Sequence, residues 1–454
     1  MIERSVSWAA AHAGIVIAVT GATLLAAYVF AITAFPRPDG RVVIGDATHH
    51  FVQLRSVVFD RDLHFQNDYT RIYRLAGGER GTEWVTRDFT EKGYVRNYMP
   101  VGPALLWAPL YLLAVELQSG LAWVGMAPPP DGFDRIAQFA PGVTGILAAI
   151  LAAWISWRLA TRYTRPTSAL VATLGIWLGT HALYYSLVSP TYSHAASMLT
   201  SALFFSAWLG QRTAVSVGRA ALWGALAGAC ALMRWQDALF VLVPLFEVAR
   251  WKRSASERLA AAAVVLAAWL VVFSPQMIVW QVIYGQPFAL PQGPSFMQWT
   301  SPHLVAVLLS DNHGLLSWAP LLGLSLIGLV GFARGMPGAA VSVAFVLLSS
   351  WYVNAAVADW WAGEAFGARR FLSLFPMFVL GLAVWLNHGP RTDRIAPLRV
   401  LLVLVLSGVN LLLLLQYQLA LKGLEHIAPY PHGVTDMWIT RFMVPFRLLA
   451  WWAS

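Results

Sequence analysis

Long apolar stretches separated by short basic loops restrict this chain to one broad architecture. Of its 454 residues, 58% are hydrophobic and 12% are charged, whereas water-soluble domains carry about 25% charged residues. In lipid the backbone N–H and C=O groups must form hydrogen bonds with each other, so apolar segments that cross the membrane form helices of roughly 20 residues. Such runs lie near 8–34, 136–157, 167–188, 194–210, 219–233, 237–249, 259–283, 314–332, 337–356, 371–387 and 397–419. The sequence predicts an all-α polytopic membrane protein with about eleven transmembrane helices in one domain.

Basic residues occupy alternate loops between these helices. The loops on the side of the N-terminus contain Arg158, Arg162, Arg165, Arg212, Arg219, Arg250, Lys252, Arg253, Arg258, Arg334, Arg391, Arg394 and Arg399. Residues 284–310, on the other side, contain no Lys or Arg. Because basic residues flank membrane helices on the cytoplasmic side, we expect a cytoplasmic N-terminus, in a bacterial cytoplasmic membrane. The basic residues follow the membrane flanks, which argues for contact with membrane lipids and against nucleic-acid binding.

A large first loop, 36–135, is expected on the extracytoplasmic side, with interfacial helices at about 46–59 and 98–117. The second of these is apolar enough to span the membrane, but counting it would move the arginine-rich loop after 157 to the outer side. We therefore expect a shallow helix at the interface. Three prolines are expected to break it, namely Pro100, Pro103 and Pro109.

Three other segments complete the predicted topology. Residues 218–249 are too long for one helix and contain a polar break, so two short helices are expected there. The N-terminal apolar run lacks a small-residue cleavage pattern and is read as a retained helix. Residues 420–454 form a short extracytoplasmic end. The single cysteine, Cys230, excludes a disulfide within the chain.

The first cluster of polar residues follows the first apolar helix. If Asp46 begins a helix, His49, His50 and Gln53 lie on its face at spacings of three, four and seven residues. Polar residues are rare next to membrane helices, and a binding or catalytic site is one explanation for their presence here. The alternative is that Asp46 only caps the helix, a role in which Asp is frequent.

The second cluster is the sequence Asp60-Arg61-Asp62. Paired carboxylates suit hard divalent cations, so Asp60 and Asp62 are a candidate metal site. Such a pair is also common in polar turns at the ends of helices, and the apolar residues on both sides favour the turn.

Two further clusters join basic, acidic and aromatic residues. Arg234 and Asp237 lie in the polar break, where they can form a structural ion pair or present a guanidinium to a phosphate. The later cluster contains Asp359, Trp360, Trp361, Glu364, Arg369 and Arg370. Its two arginines lie on the side where basic residues are rare, which predicts an anionic partner, either a lipid headgroup or a specific phosphate.

These clusters, in this order, resemble the GT-C superfamily of integral membrane glycosyltransferases. The resemblance rests on Gly45-Asp46 after the first helix, on the proline-rich apolar segment at 99–111 in the first loop and on the basic break at Arg234. It also rests on the late segment WAGEAFGARR at 361–370 and on DNHGLLSWAP at 311–320. Members include protein O-mannosyltransferases and the lipid A aminoarabinose transferases.

The resemblance implies a donor and a set of roles. The donor would be a sugar linked to a polyprenyl phosphate, and the acceptor a hydroxyl on a lipid, glycan or protein. Asp46 would be the general base of an inverting transfer, and Arg234, Arg369 and Arg370 would bind the phosphate. His49, His50, Gln53, Asp237, Trp360, Trp361 and Glu364 would contact substrate. Asp46 is followed by Ala47 instead of the second acid often found in the family, which leaves a divalent cation as an open cofactor.

Two other classes of function remain compatible with the sequence. A transporter or flippase of a lipid-linked or anionic solute is expected to bury charges at mid-membrane and to break helices at matching places in two halves. A scaffold without enzymatic activity would have no use for the Arg-Trp-Glu cluster. His313 is expected to be a histidine at a loop or helix end and not a ligand.

Overall fold

The protein is described by a computed structural model over residues 11–75, 86–211, 216–363, 366–388, 396–421 and 433–453. These residues fold into helices, and strand pairing among them is limited to two isolated bridges, Phe89 with Val95 and Met297 with Val357. Over the described residues the fold class is all-α, as the apolar pattern predicts.

The helices follow one another along the chain with short connections. The first nine are α1 (Ala13–Ala34), α2 (Asp46–Arg55), α3 (Gln66–Leu75), α4 (Gly102–Trp123), α5 (Arg135–Ala160), α6 (Pro166–Leu178), α7 (Ser193–Gln211), α8 (Val217–Met233) and α9 (Leu242–Ala249). The others are α10 (Ala255–Tyr284), α11 (Ala306–Leu309), α12 (Leu315–Trp318), α13 (Leu321–Gly335), α14 (Pro337–Ala355), α15 (Phe375–Asn387), α16 (Pro397–Leu421) and α17 (Val434–Ala453). Short π or 3-10 turns occupy Ser56–Asp60, Tyr184–Val188, Trp235–Val241, Pro294–Phe296 and Arg369–Leu374.

Seven helical segments of the described chain are long and apolar enough to cross a membrane. They are Ala13–Ala34, Gly102–Trp123, Arg135–Ala160, Ala255–Tyr284, Pro337–Ala355, Arg369–Asn387 and Pro397–Leu419. Three shorter apolar helices, α6, α8 and α13, accompany them. Such a set is typical of a helical protein embedded in a membrane.

Helix α4 differs from the expectation for the first loop. It runs without interruption for 22 residues, so the predicted break at its prolines is wrong. Pro103 occupies the first turn, where a helix needs no backbone N–H, and Pro100 precedes the helix. Pro109 lies inside the helix, which continues through it. By its length α4 can span a membrane, where the sequence predicted a shallow interfacial helix.

Several other boundaries also depart from the apolar runs. The run at 167–188 is not one helix, because α6 ends at Leu178 and a separate π turn begins at Tyr184. The run at 314–332 is divided before Pro320, which has no backbone N–H to continue the ladder of α12. The C-terminal segment, expected as a short end, contains the 20-residue helix α17.

At one end of the bundle, arginines of the short loops form hydrogen bonds to neighbouring segments. Arg162 donates to the carbonyl of Ser206 at 2.9 Å, and Arg250 donates to that of Gly338 at 3.0 Å. Arg165 donates from Nε to Oδ1 of Asn387 at 2.8 Å. These bonds join described segments that are distant in sequence, and we call this part of the bundle the basic end.

The first loop packs through a second hydrophobic core. Phe51 of α2 lies edge-on to Tyr111 of α4, with ring centroids 5.7 Å apart. A Cβ on Gly102 would approach the carbonyl oxygen of Leu232 to 2.2 Å. Helix α4 therefore lies directly against the end of α8, and α2 packs on α4. This arrangement brings the first polar cluster to the break at Arg234.

Close helix packing in the bundle depends on small residues, as is frequent in membrane proteins. A Cβ on Gly328 of α13 would lie 1.8 Å from the carbonyl oxygen of Gly381 in α15. We predict that Gly328→Ala lowers the free energy of unfolding by about 1–3 kcal/mol, because the two backbones must separate. Unfolding of the detergent-solubilised protein by a denaturing detergent measures the change.

The matched control for this prediction is Gly323→Ala in the same helix. No atom lies within 4 Å of a Cβ built there. Alanine forms helices better than glycine, so this variant should be neutral or more stable by up to about 1 kcal/mol. Equal stability of the two variants would contradict the close contact between α13 and α15.

Candidate functional site

The candidate site is built around an ion pair between segments remote in sequence. Nη1 of Arg369 donates to Oδ2 of Asp46 at 2.5 Å, across a separation of 323 residues. Asp46 is the first residue of α2, and Gly45 occupies the capping position before it. The interpretation of Asp46 as a mere helix cap is therefore wrong: it is helical, and its carboxylate bonds to a distant arginine.

The turn before Asp46 requires glycine. Gly45 has a φ of +57°, and a Cβ there would lie 2.1 Å from the hydroxyl oxygen of Tyr192. Tyr192 also lies under Arg369, whose Cζ is 5.6 Å from the ring centroid. This tyrosine therefore contacts the segments that carry both members of the pair, which fixes their relative position.

The environments of the two charges differ. The Asp46 side chain is 33% exposed, whereas that of Arg369 is 12% exposed. Burial favours the neutral carboxyl, but the Arg369 guanidinium and the nearby histidines outweigh it and hold the pKa of Asp46 below its ordinary value. Asp46 is therefore a carboxylate at neutral pH, in the form that can accept a proton.

The other polar side chains of α2 hold the first loop together. The Nδ1 of His49 lies 2.6 Å from the hydroxyl of Tyr69, and His50 donates from Nδ1 to the carbonyl of Pro100 at 2.8 Å. Gln53 donates to the carbonyl of Met99 at 3.0 Å. These bonds attach α2 to α3 and to the start of α4. Burial lowers the pKa of both histidines, that of His50 to about 4.

Arg234 lies at the break after α8 and faces the same group of charges. It donates from Nη1 to Nδ1 of His194 at 2.8 Å, and its charge interacts with those of Asp46, Arg369 and Arg370. Its buried Nε has no hydrogen-bond partner within the part of the chain that the structure describes. Asp237 instead accepts from the Ser373 hydroxyl at 2.6 Å, so these two side chains bond to different partners.

Arg370 is held by the loop that precedes it. It donates to the Asp359 carboxylate at 2.7 Å and to the Asp359 carbonyl at 2.8 Å. Trp360 and Trp361 meet edge to face, with centroids 5.7 Å apart, and Trp361 is 36% exposed. An exposed indole beside charged groups can stack on a sugar or another flat apolar surface. Glu364 lies outside the described residues.

Backbone strain is concentrated in the same loop. Ala362, Gly363 and Gly367 all have positive φ, between +65° and +68°. For Ala362 this region is costly because of its Cβ, and such strain clusters at ligand sites. A Cβ on Gly367 would lie 2.8 Å from the Cβ of His181, so the loop packs closely on the turn that follows α6.

The Asp60 and Asp62 pair forms a polar turn. Asp60 forms an ion pair with Arg55 and accepts from the Asn67 amide at 2.8 Å. Asp62 accepts from the Ser56 hydroxyl at 2.8 Å, and Arg61 between them is left-handed. Protein donors thus already occupy both carboxylates. Among the described residues, His, Cys, Asp and Glu form no group of three that could hold a metal ion.

His313 lies in a loop, as expected. It has a φ of +63°, contacts Asn312 through Nδ1 at 2.9 Å and stacks on Trp318 at 4.4 Å between centroids. The sequence analysis missed Tyr192 and His194, which contact Arg369 and Arg234. Their signal is the polar stretch at 189–194 between two apolar runs, a place where polar residues call for an explanation.

An apolar cavity of about 340 Å³ lies between helices of the bundle. Helices α13 and α14 form most of it, and the turn Arg369–Leu374 and α15 close one side; its lining includes Leu329, Val343, Leu347, Trp351, Phe371 and Phe378. Phe371 directly follows Arg370, so a charged end and an apolar cavity adjoin. A molecule with an anionic head and a hydrocarbon tail fits this combination.

Comparison with known proteins adds no assignment: no protein-family model matches the sequence, and a search of curated proteins found no match. The functional interpretation therefore depends on the geometry of the site.

Buried His50 predicts a pH dependence of stability. An unfolded histidine titrates near 6.5, and the folded His50 near 4. Between these values the unfolded chain binds the proton and the folded chain does not. The free energy of unfolding should therefore fall as the pH drops from 6.5 to 4, by up to about 3 kcal/mol from this residue.

His50→Gln should reduce this pH dependence by the share of this residue and leave that of His49, as measured by denaturation in detergent at several pH values. The control is His64→Gln, in which an exposed ring of the same loop is replaced. An unchanged slope in the His50 variant would contradict the burial of a neutral imidazole at the α2–α4 contact.

Proposed function

We propose that this protein is a membrane glycosyltransferase that moves a sugar from a polyprenyl-phosphate carrier to an acceptor hydroxyl. The observation that carries the proposal is the Asp46–Arg369 pair, with Arg234 facing it and an apolar cavity adjoining Arg370. A base, phosphate-binding groups and a place for a lipid tail are the parts that such a transfer needs.

The reaction breaks the bond between the anomeric carbon and the phosphate oxygen. The acceptor oxygen attacks that carbon from the opposite face and forms the new glycosidic bond, so the configuration is inverted. The hydroxyl proton passes to Asp46, and the carrier phosphate leaves with the electrons of the broken bond. Because phosphate is already a good leaving group, the protein needs only to remove the proton and stabilise the departing charge.

Arg369 links the two tasks in this mechanism. While it bonds to Asp46, it keeps the pKa of that carboxylate low, which makes Asp46 a weak base. A donor phosphate competes for the same guanidinium. Once Arg369 turns toward the phosphate, burial acts on Asp46 without its counter-charge, and the pKa rises. Binding of the donor thus strengthens the base at the time when it is needed.

The other residues of the site differ in how directly they would contact the substrates. Arg234, with a buried Nε that no described residue pairs, is the readiest donor for a phosphate oxygen. Arg370 is fixed by Asp359 and adds positive potential. The exposed face of Trp361 suits stacking on a sugar ring. His49, His50 and Gln53 support α2, and a role as substrate contacts is secondary because their bonds are to the protein.

The sidedness follows from the distribution of charge. The basic end contains arginines of the short loops, and basic loops face the cytoplasm in most membrane proteins. The Asp46 cluster follows the end of α1, where Arg135 at the start of α5 donates to the Ile32 carbonyl, and α5 ends at the arginine-rich turn after Ala160, so the cluster and that turn lie at opposite ends of α5. We therefore place the reaction on the extracytoplasmic side of a bacterial cytoplasmic membrane, where lipid, glycan or protein acceptors are available.

The base is tested by Asp46→Asn. We expect the rate of sugar transfer to fall by about 10²- to 10⁴-fold, because an amide cannot take the acceptor proton. The assay measures labelled sugar moved from a polyprenyl-phosphate donor to acceptor by the reconstituted protein. Asp60→Asn, which changes a carboxylate of the same loop, is the control and should keep its activity.

Activity close to wild type in the Asp46 variant would remove this residue from the mechanism. Movement of a solute or lipid across the vesicle, without any transfer, would support the transporter instead.

The apolar cavity is tested by Ala344→Trp, which places an indole over a lining position. If the donor tail lies there, the KM for a long-chain donor should rise about tenfold, as expected when roughly two methylenes lose their contact. A short-chain donor should be less affected. Val341→Trp, on the lipid-exposed side of α14, is the matched control. An equal effect on both chain lengths would place the tail elsewhere.

A further inference from the structure

A second charged group lies outside the proposed site, on the C-terminal helix. Arg441 of α17 is fully buried, with an exposed fraction of 0%. Its Nε, Nη1 and Nη2 atoms are all buried and have no hydrogen-bond partner among the residues that the structure describes. The Cζ atom of Arg441 lies 4.7 Å from the centroid of the Trp438 ring.

Such a guanidinium is costly without a counter-ion. Arginine stays charged in proteins, so it cannot avoid the cost by losing a proton. Removing a charge from water costs several kcal/mol unless hydrogen bonds and an opposite charge replace the lost hydration. An aromatic face compensates only in part, by about 2 kcal/mol when desolvated. Arg441 therefore calls for an anion that the described chain does not supply.

The rest of α17 indicates where that anion comes from. Met437, Thr440, Arg441 and Val444 form its buried stripe, at spacings of three and four residues. The opposite side exposes Ile439, Phe442 and Phe446, with exposed fractions of 60%, 49% and 64%. A helix that is apolar on its exposed face is surrounded by lipid, where phosphate is the abundant anion.

We propose that Arg441 binds the phosphate of a membrane lipid whose headgroup lies between α16 and α17. The planar fork of arginine suits phosphate, because its N–H groups can donate two parallel bonds. Helix α17 has its main helix contacts with α16, so in this proposal the lipid enters between these two helices. The lipid tails would cover the apolar side of α17. This site is separate from the donor site and does not depend on the proposed reaction.

The test compares thermal unfolding of the full-length wild type and Arg441→Met in a phosphate-free maltoside detergent. In detergent alone the variant should melt at or above the wild-type temperature, because an unpaired buried charge is replaced by an apolar side chain. Added phosphatidic acid should raise the wild-type Tm and leave that of the variant unchanged. Arg447→Met, on the same helix, is the matched control and should respond like wild type.

The titration also gives the size of the effect. The apparent affinity for phosphatidic acid should fall at least thirtyfold in Arg441→Met, as when one partner of a buried charge pair is truncated. Arg441→Lys, which keeps the charge and loses the fork, should bind with intermediate affinity. If inorganic phosphate raises the wild-type Tm as well as the lipid does, the site stands and its ligand is free phosphate.

Two results would overturn the proposal. One is a variant that melts below wild type by the same amount with and without lipid, which would make Arg441 a structural residue only. The other is an equal response to phosphatidic acid in wild type and Arg441→Met, which would place lipid binding elsewhere.

Discussion

The contact between Asp46 and Arg369 is the constraint on which the rest of the site depends. Two charges at the edge of an apolar bundle are tolerated only when each neutralises the other. The pair therefore holds the start of α2 against a loop 323 residues away. The first loop reaches that position because α2 packs on α4 and α4 packs on the end of α8. Arg234 faces the pair as a consequence of the same packing.

Part of this arrangement could be predicted from the sequence because it depends on local chemistry. Apolar length predicts the helices, and polar residues that interrupt it, such as Arg234 and Asp46, mark the ends of helices. For Arg369 the sequence predicted a lipid headgroup or a phosphate as the anionic partner, and that stays a prediction; the partner within the protein is Asp46. The turn at Asp60 and Asp62 follows from the same local rules.

Other parts depend on contacts between distant segments, which no local pattern encodes. His49 and His50 were expected to contact substrate, and the structure shows in addition that Nδ1 of His49 meets Tyr69 and that Nδ1 of His50 donates to the carbonyl of Pro100. The prolines of α4 suggested a broken helix, but one of them sits in the first turn, where it is tolerated. The burial of Arg441 depends on how α17 packs, and the residue alone does not reveal it.

The three arginines of the site differ in how fully their hydrogen bonds are satisfied, and that difference sets an order of events in the proposed mechanism. Arg370 donates twice to Asp359, so a ligand gains little from it directly. Arg234 has a buried N–H without a partner among the described residues, so an entering phosphate gains most there. The gain at Arg369 is intermediate, because its hydrogen bond to Asp46 can be exchanged for one to the phosphate. In the proposed mechanism a phosphate therefore meets Arg234 first and then draws Arg369 away from the base.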